Sequence, residues 1–358
     1  MRFTGRTRRL VLAGAMIAAT LAACGDNSSS TGGTTAATTG ATTAATDAPA
    51  VTGGGNTTVA PTGGDCPTSG DAIKLAVNPW TGSAVNAYVA QQVIQCNLGV
   101  PVDIVDIDEN ATWLGLDDGS LDAVLEVWPS GHAADHKTYV EEKKSVVDLG
   151  VLGPKAKIGW YVPKFVIDEH PELATWEGFK NPDLAKLFAT AESGDLGQFT
   201  MGDPSYVTYD EQIIANLKLP LKYVVAGSEA ALLTAIDQAV ADKKPLLLQF
   251  WQPHWKQSKV DLVEVKLPDI TPECDASRQA GDGGYACDYP VDNLYKAANA
   301  GLEAKNPKVF ALLKAFQLTT DQQNAVAGLI DGPDKMKPAD AAKKWLDANG
   351  AVWGAWLG

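Results

Sequence analysis

From about residue 70 onward, short apolar runs alternate with stretches whose apolar residues recur at helical spacing. Ile73 to Val77 predicts a buried strand. Ser83 to Cys96, with Val85, Tyr88, Val89 and Val93 on one side, predicts a helix. Further strands are expected at Val102–Ile107, Leu121–Val127, Gln198–Met201, Lys222–Val225, Pro245–Phe250 and Leu262–Leu267. Helices are expected at Asp210–Leu217 and after Ser228, whose hydroxyl can cap a helix carrying Leu232, Leu233, Ile236 and Val240. The last part of the chain reads as mostly helical, with stop signals at Asn306-Pro307 and Gly332-Pro333. Repeated strand–helix units imply mainly parallel sheets in an α/β fold. A body of this length favours two lobes over one.

The first 65 residues follow another pattern. Arg2, Arg6, Arg8 and Arg9 precede the apolar run Leu10–Ala23, which is short for a bilayer span and suited to a signal peptide. Its end, Leu21-Ala22-Ala23-Cys24, resembles a bacterial lipobox. That resemblance implies that residues 1–23 are removed and that the Cys24 thiol is acylated. Arg8-Arg9 leaves general and twin-arginine export both open. Residues 24–65 are almost wholly Gly, Thr, Ala, Ser and Asn. Such a segment buries too little surface to offset its ordering entropy, so a flexible tether is expected. Together these features predict an exported protein, lipid-anchored to the outer face of the cell membrane.

Charge and cysteine content narrow the function. The net charge is −14, and Arg278 is the only arginine after the leader. Nucleic-acid binding needs a basic footprint that this chain lacks. Four cysteines follow Cys24: Cys66, Cys96, Cys274 and Cys287. In an exported chain they suggest two disulfides. Three pairings are open; the local segments favour Cys66–Cys96 and Cys274–Cys287. No GxSxG elbow, P-loop or Cys–His signature occurs, so no enzyme and no cofactor is expected. His132-x-x-x-His136 could offer zinc two ligands on one helical face, but no third ligand is evident, and no metal is expected.

Aromatic residues cluster where strands end: Val77-Asn78-Pro79-Trp80, Glu126-Val127-Trp128-Pro129, Met201-Gly-Asp-Pro-Ser-Tyr206 and Phe250-Trp251-Gln-Pro-His254-Trp255. In open α/β sheets ligands sit beyond the carboxyl ends of strands. Rings there could stack on sugars or enclose a quaternary ammonium, which has no N–H to donate and is balanced by π faces. A sugar site would want several Asp, Asn and Arg groups; the lone arginine counts against it.

The same residues resemble the glycine betaine/proline betaine substrate-binding proteins of bacterial ABC importers. The resemblance runs from about Ile73 to the C-terminus. It rests on Val77-Asn78-Pro79, Trp128-Pro129 with His132, Phe179-Lys-Asn-Pro-Asp-Leu-Ala-Lys-Leu-Phe188, Gly202-Asp203-Pro204-Ser205-Tyr206, Lys244-Pro245 leading to Trp251-x-Pro253-x-Trp255, and Lys305-Asn306-Pro307. It implies a two-lobed periplasmic-binding-protein-like fold of type II, with residues 70–155 and 262–358 in one lobe and 156–261 in the other. It also implies a cage of Trp128, Tyr206 and Trp251 around a trimethylammonium group, with Trp80 as a further wall. His132 and the backbone N–H groups of Val207 and Thr208 are then expected to hold the ligand carboxylate. Tyr206 stands where the family usually has Trp, and Gly202 and Thr208 replace a flanking Cys pair. Trp160, Tyr161 and Trp255 are third-tier candidates for the cage, with core or lobe-surface packing the favoured reading. The expected partners are a small betaine and a permease, with the protein acting as a monomer; choline or carnitine is the alternative ligand, and a carbohydrate- or metal-binding lipoprotein the alternative of another class.

Overall fold

The computed structural model describes residues 66–358; the leader, Cys24 and the tether through residue 65 lie outside the described residues. Among the described residues, nine strands appear in the order β1 (Ile73–Val77), β2 (Val102–Asp106), β3 (Ala123–Val127), β4 (Val146–Pro163), β5 (Gly197–Met201), β6 (Leu221–Val225), β7 (Leu247–Gln252), β8 (Leu262–Val265) and β9 (Asp292–Asn299). They lie side by side as β2-β1-β3-β9-β4-β7-β5-β6, with β8 also paired to β4.

The sheets are mixed, which corrects the expectation of mainly parallel pairing. β1 pairs parallel with β2 and β3, and β5 pairs parallel with β6 and β7. The centre is antiparallel: β9 pairs with β3 and β4, and β4 pairs with β7 and β8. The cause is β4 itself. This 18-residue strand pairs with β9 through Val146–Ala156 and with β7 through Lys157–Tyr161. It therefore carries the chain from one sheet into the next. Leu262–Val265 pairs with Trp160–Pro163 of β4, so β8 belongs with the second sheet.

β4 and β9 escape a reading by pattern. Gly150, Gly153 and Pro154 read as turn signals, yet β4 absorbs them as register shifts between Asp148 and Lys155. Gly153 has φ +131°, and a Cβ there would lie 2.2 Å from the Leu318 carbonyl oxygen. Only glycine fits that approach. β9 is buried along nearly its whole length between two neighbours and so lacks alternation.

Other expected elements lie close to their predicted places. Helix α1 (Thr81–Val93) buries Val85, Val89, Ala90 and Val93 and packs against the helices Thr320–Asp331 and Pro338–Ala348. Ser228 caps the helix Glu229–Asp242 by accepting the Ala231 N–H at 3.1 Å. Disulfides join Cys66 to Cys96 and Cys274 to Cys287, with Cα–Cα distances of 4.9 and 6.4 Å.

Candidate functional site

The carboxyl ends of β1, β3 and β5, with the last residues of β7, face one small cavity. Trp80, Glu109, Trp128, Ile158, Tyr206, Val207, Thr208, Gln249 and Trp251 line it. The Trp80 and Tyr206 ring centroids are 5.8 Å apart at 75°, and those of Tyr206 and Trp251 are 5.7 Å apart at 88°. Edge-to-face geometry is a favoured arrangement for aromatic pairs. The three tryptophans are buried. The Tyr206 hydroxyl donates to the Pro79 carbonyl at 3.0 Å. A Cβ at Gly202 would come within 2.8 Å of the Tyr206 ring, so glycine there leaves room for it.

Behind two of these walls lies Glu126, which the sequence reading did not single out. Its Oε1 accepts the indole N–H of Trp80 at 2.7 Å and of Trp128 at 3.1 Å. Its Oε2 accepts from Asn86 Nδ2 at 2.7 Å and Gln323 Nε2 at 2.6 Å. Burial raises its carboxyl; the donated hydrogen bonds pull the other way, and the balance is about 7. The available signal was a single carboxylate inside the apolar strand Ala-Val-Leu-Glu-Val, because an acid is seldom fully buried without partners.

Glu109, at the start of helix α2 (Glu109–Asp118), was also missed. Its Oε2 accepts the Val207 backbone N–H at 2.9 Å, and its Oε1 is 2.8 Å from His132 Nε2. His132 does not line the cavity; it sits buried behind Glu109. Its Nδ1 is 2.8 Å from Asp135 Oδ2. Burial lowers the imidazole, but the hydrogen bonds to Asp135 and Glu109 outweigh it and raise it to about 9. A protonated ring donates to both acids. Trp113 Nε1, 3.0 Å from the same Nδ1, then meets no lone pair and is a packing contact.

Trp160 donates to Asp210 Oδ1 at 2.7 Å and packs on Phe199. Tyr161 and Trp255 are buried beside Phe250 and His254. None of the three lines the cavity. His136, the second histidine of the zinc pattern, lies 3.4 Å from Glu141, apart from His132's partners. Glu229 Oε2 accepts the Thr81 N–H at 2.7 Å and its hydroxyl at 2.8 Å, while Oε1 is 2.8 Å from His254 Nε2.

Residues 71–348 match the family described as the substrate-binding domain of ABC-type glycine betaine transport systems. Over 286 residues the chain is 29% identical to the trimethylamine N-oxide-binding protein of Pelagibacter ubique, spanning 78% of this chain and 89% of that one. In three dimensions it resembles lactococcal OpuAC in its closed conformation with glycine betaine, with a TM-score of 0.63 at 23% identity over 81% of this chain and 100% of that one. It also resembles an ABC-transporter choline-binding protein in complex with choline, with a TM-score of 0.63 at 19% identity over 80% and 91%. These two likenesses are of fold: α/β, two-lobed, the type II periplasmic-binding-protein architecture.

Proposed function

The chain belongs to the family of substrate-binding domains of ABC-type glycine betaine transport systems, and from that premise we propose that it captures one small trimethylammonium compound within Trp80, Trp128, Tyr206 and Trp251. It is the substrate-binding component of an ABC importer for ligands of the betaine and choline type, works outside the cytoplasm with a permease, and is not an enzyme. The convergence of four rings on one cavity carries the cage reading. At up to about 2 kcal/mol per desolvated ring, four rings reach about 8 kcal/mol, which corresponds to micromolar affinity.

The position of Glu109 favours a ligand without a carboxylate. Val207 N–H and His132, two of the groups expected to hold a betaine carboxylate, are engaged by the protein's own carboxylate. Glycine betaine would bring a second negative group beside it. Choline and trimethylamine N-oxide would not, and the name of the Pelagibacter relative agrees with the latter. Val207 and His132 then act through Glu109, with Thr208 on the cavity wall.

We place one lobe at residues 70–155 and about 268–358, and the other at 156–267. Contacts of Glu109 with Val207, Pro79 with Tyr206 and Thr81 with Glu229 cross that division, as in a closed receptor. Closure follows from tighter binding to the closed state than to the open one. We read residues 1–23 as a leader and Cys24 as an acylated anchor for a monomer on the outer membrane face. A thermal-shift screen tests the ligand class, since stabilisation grows with ligand concentration over Kd. Choline, trimethylamine N-oxide and glycine betaine are expected to stabilise the protein; stabilisation by sugars alone would overturn the reading.

A further inference from the structure

We propose that Gln249 is a specificity-determining residue whose carboxamide hydrogen-bonds the oxygen of an oxygen-bearing trimethylated ligand. The inference rests on the trimethylammonium reading and adds to it the group that recognises the other end of the molecule.

Gln249 interrupts an apolar strand. Leu247, Leu248 and Phe250 around it are wholly buried, and Gln249 itself is 2% exposed. Side chains alternate along a strand, so Gln249 shares a face with Trp251, and both line the cavity. The register places Gln249 opposite Trp160 and Trp251 opposite Ile158, which lines the cavity as well. The Gln249 Oε1 is buried with no hydrogen-bond partner in the protein. Buried polar groups are rarely left so, because the lost hydration is not repaid. Two other polar groups on the cavity wall are already engaged: Glu109 by Val207 and His132, and the Tyr206 hydroxyl by Pro79.

The chemistry of a carboxamide suits this place. It offers an acceptor and two donors at adjacent atoms, and the two ends exchange by rotation about the last bond. An oxide oxygen can take its N–H, and a hydroxyl can donate to its carbonyl. It also adds no charge to a site that already holds Glu109 and Glu126.

The test is calorimetric titration of the mature protein with choline, trimethylamine N-oxide and tetramethylammonium, which carries no oxygen. Gln249→Leu and Gln249→Met, both close to glutamine in volume, are compared with the unaltered protein. The expected result is at least a tenfold loss for choline and trimethylamine N-oxide, with tetramethylammonium held within threefold. Equal losses for all three would show that Gln249 only packs, and unchanged affinities would show that it does nothing; either result overturns the inference while the cage reading stands. Should the unaltered protein bind none of the three, the cage reading fails and this inference falls with it. Agreement between the two variants guards against a folding defect in one.

Discussion

Trp80 and Trp128, from the ends of two different strands, donate their indole N–H groups to the same oxygen, Glu126 Oε1, at 2.7 and 3.1 Å. One buried carboxylate thus fixes the orientation of two walls of the cavity. Glu126→Gln leaves one oxygen where four donors now find two, so an NH2 group must face either the two indoles or Asn86 and Gln323, and the walls lose part of their support. Choline affinity should drop at least tenfold by calorimetry.

The same carboxylate makes stability depend on pH in a stated direction. Its value is raised from an ordinary 4.5 to about 7 by burial. The folded state therefore holds the proton over a window in which the unfolded chain has lost it, and stability falls as pH rises from about 4.5 through 7. Asp210, raised by burial to about 6, acts in the same sense. Thermal unfolding of the ligand-free protein should show a declining Tm across this window, with a shallower decline in Glu126→Gln. Equal slopes would remove Glu126 as the cause.

Glu109→Gln should reverse ligand preference. Removing the resident charge beside Val207 and His132 is expected to raise glycine betaine affinity relative to choline by at least tenfold, about 1.4 kcal/mol. Titrations of both ligands into both proteins give the ratio directly; an unaltered ratio would show that Glu109 does not discriminate.

Trp128→Ala and Trp251→Ala should each weaken binding of the preferred ligand at least tenfold, as expected for loss of one desolvated ring at about 2 kcal/mol. Unchanged affinity in both variants would remove the aromatic cage.

Thr81 and Glu229 join the proposed lobes through two hydrogen bonds to one carboxylate oxygen, and Asp331 also bonds the Thr81 hydroxyl. Glu229→Ala should shift the ligand-free protein toward an open form, seen as a larger radius of gyration in solution scattering. Affinity should fall with it, because closure then draws on more of the ligand's binding energy.

Local pattern is enough to find two of the strands that end at the site. Ile73–Val77 and Gln198–Met201 are strand patterns bounded by turn residues, and the turns after them place Trp80 and Tyr206. Local chemistry also sufficed for the Ser228 cap. Long-range pairing sets the antiparallel centre of the fold, since β4 hides its continuity behind Gly150, Gly153 and Pro154 and β9 is flanked on both edges. Contacts distant in the chain likewise set the polar half of the site. Glu126 and Gln249 stand out as polar residues inside apolar strands and Glu109 does not, but nothing near any of the three in the chain names their partners. Val207 lies 98 positions from Glu109, and Gln323 lies 197 from Glu126. Hydrophobic periodicity is a local signal, whereas the partner of a buried charge is set by which distant backbone the fold brings within hydrogen-bond reach.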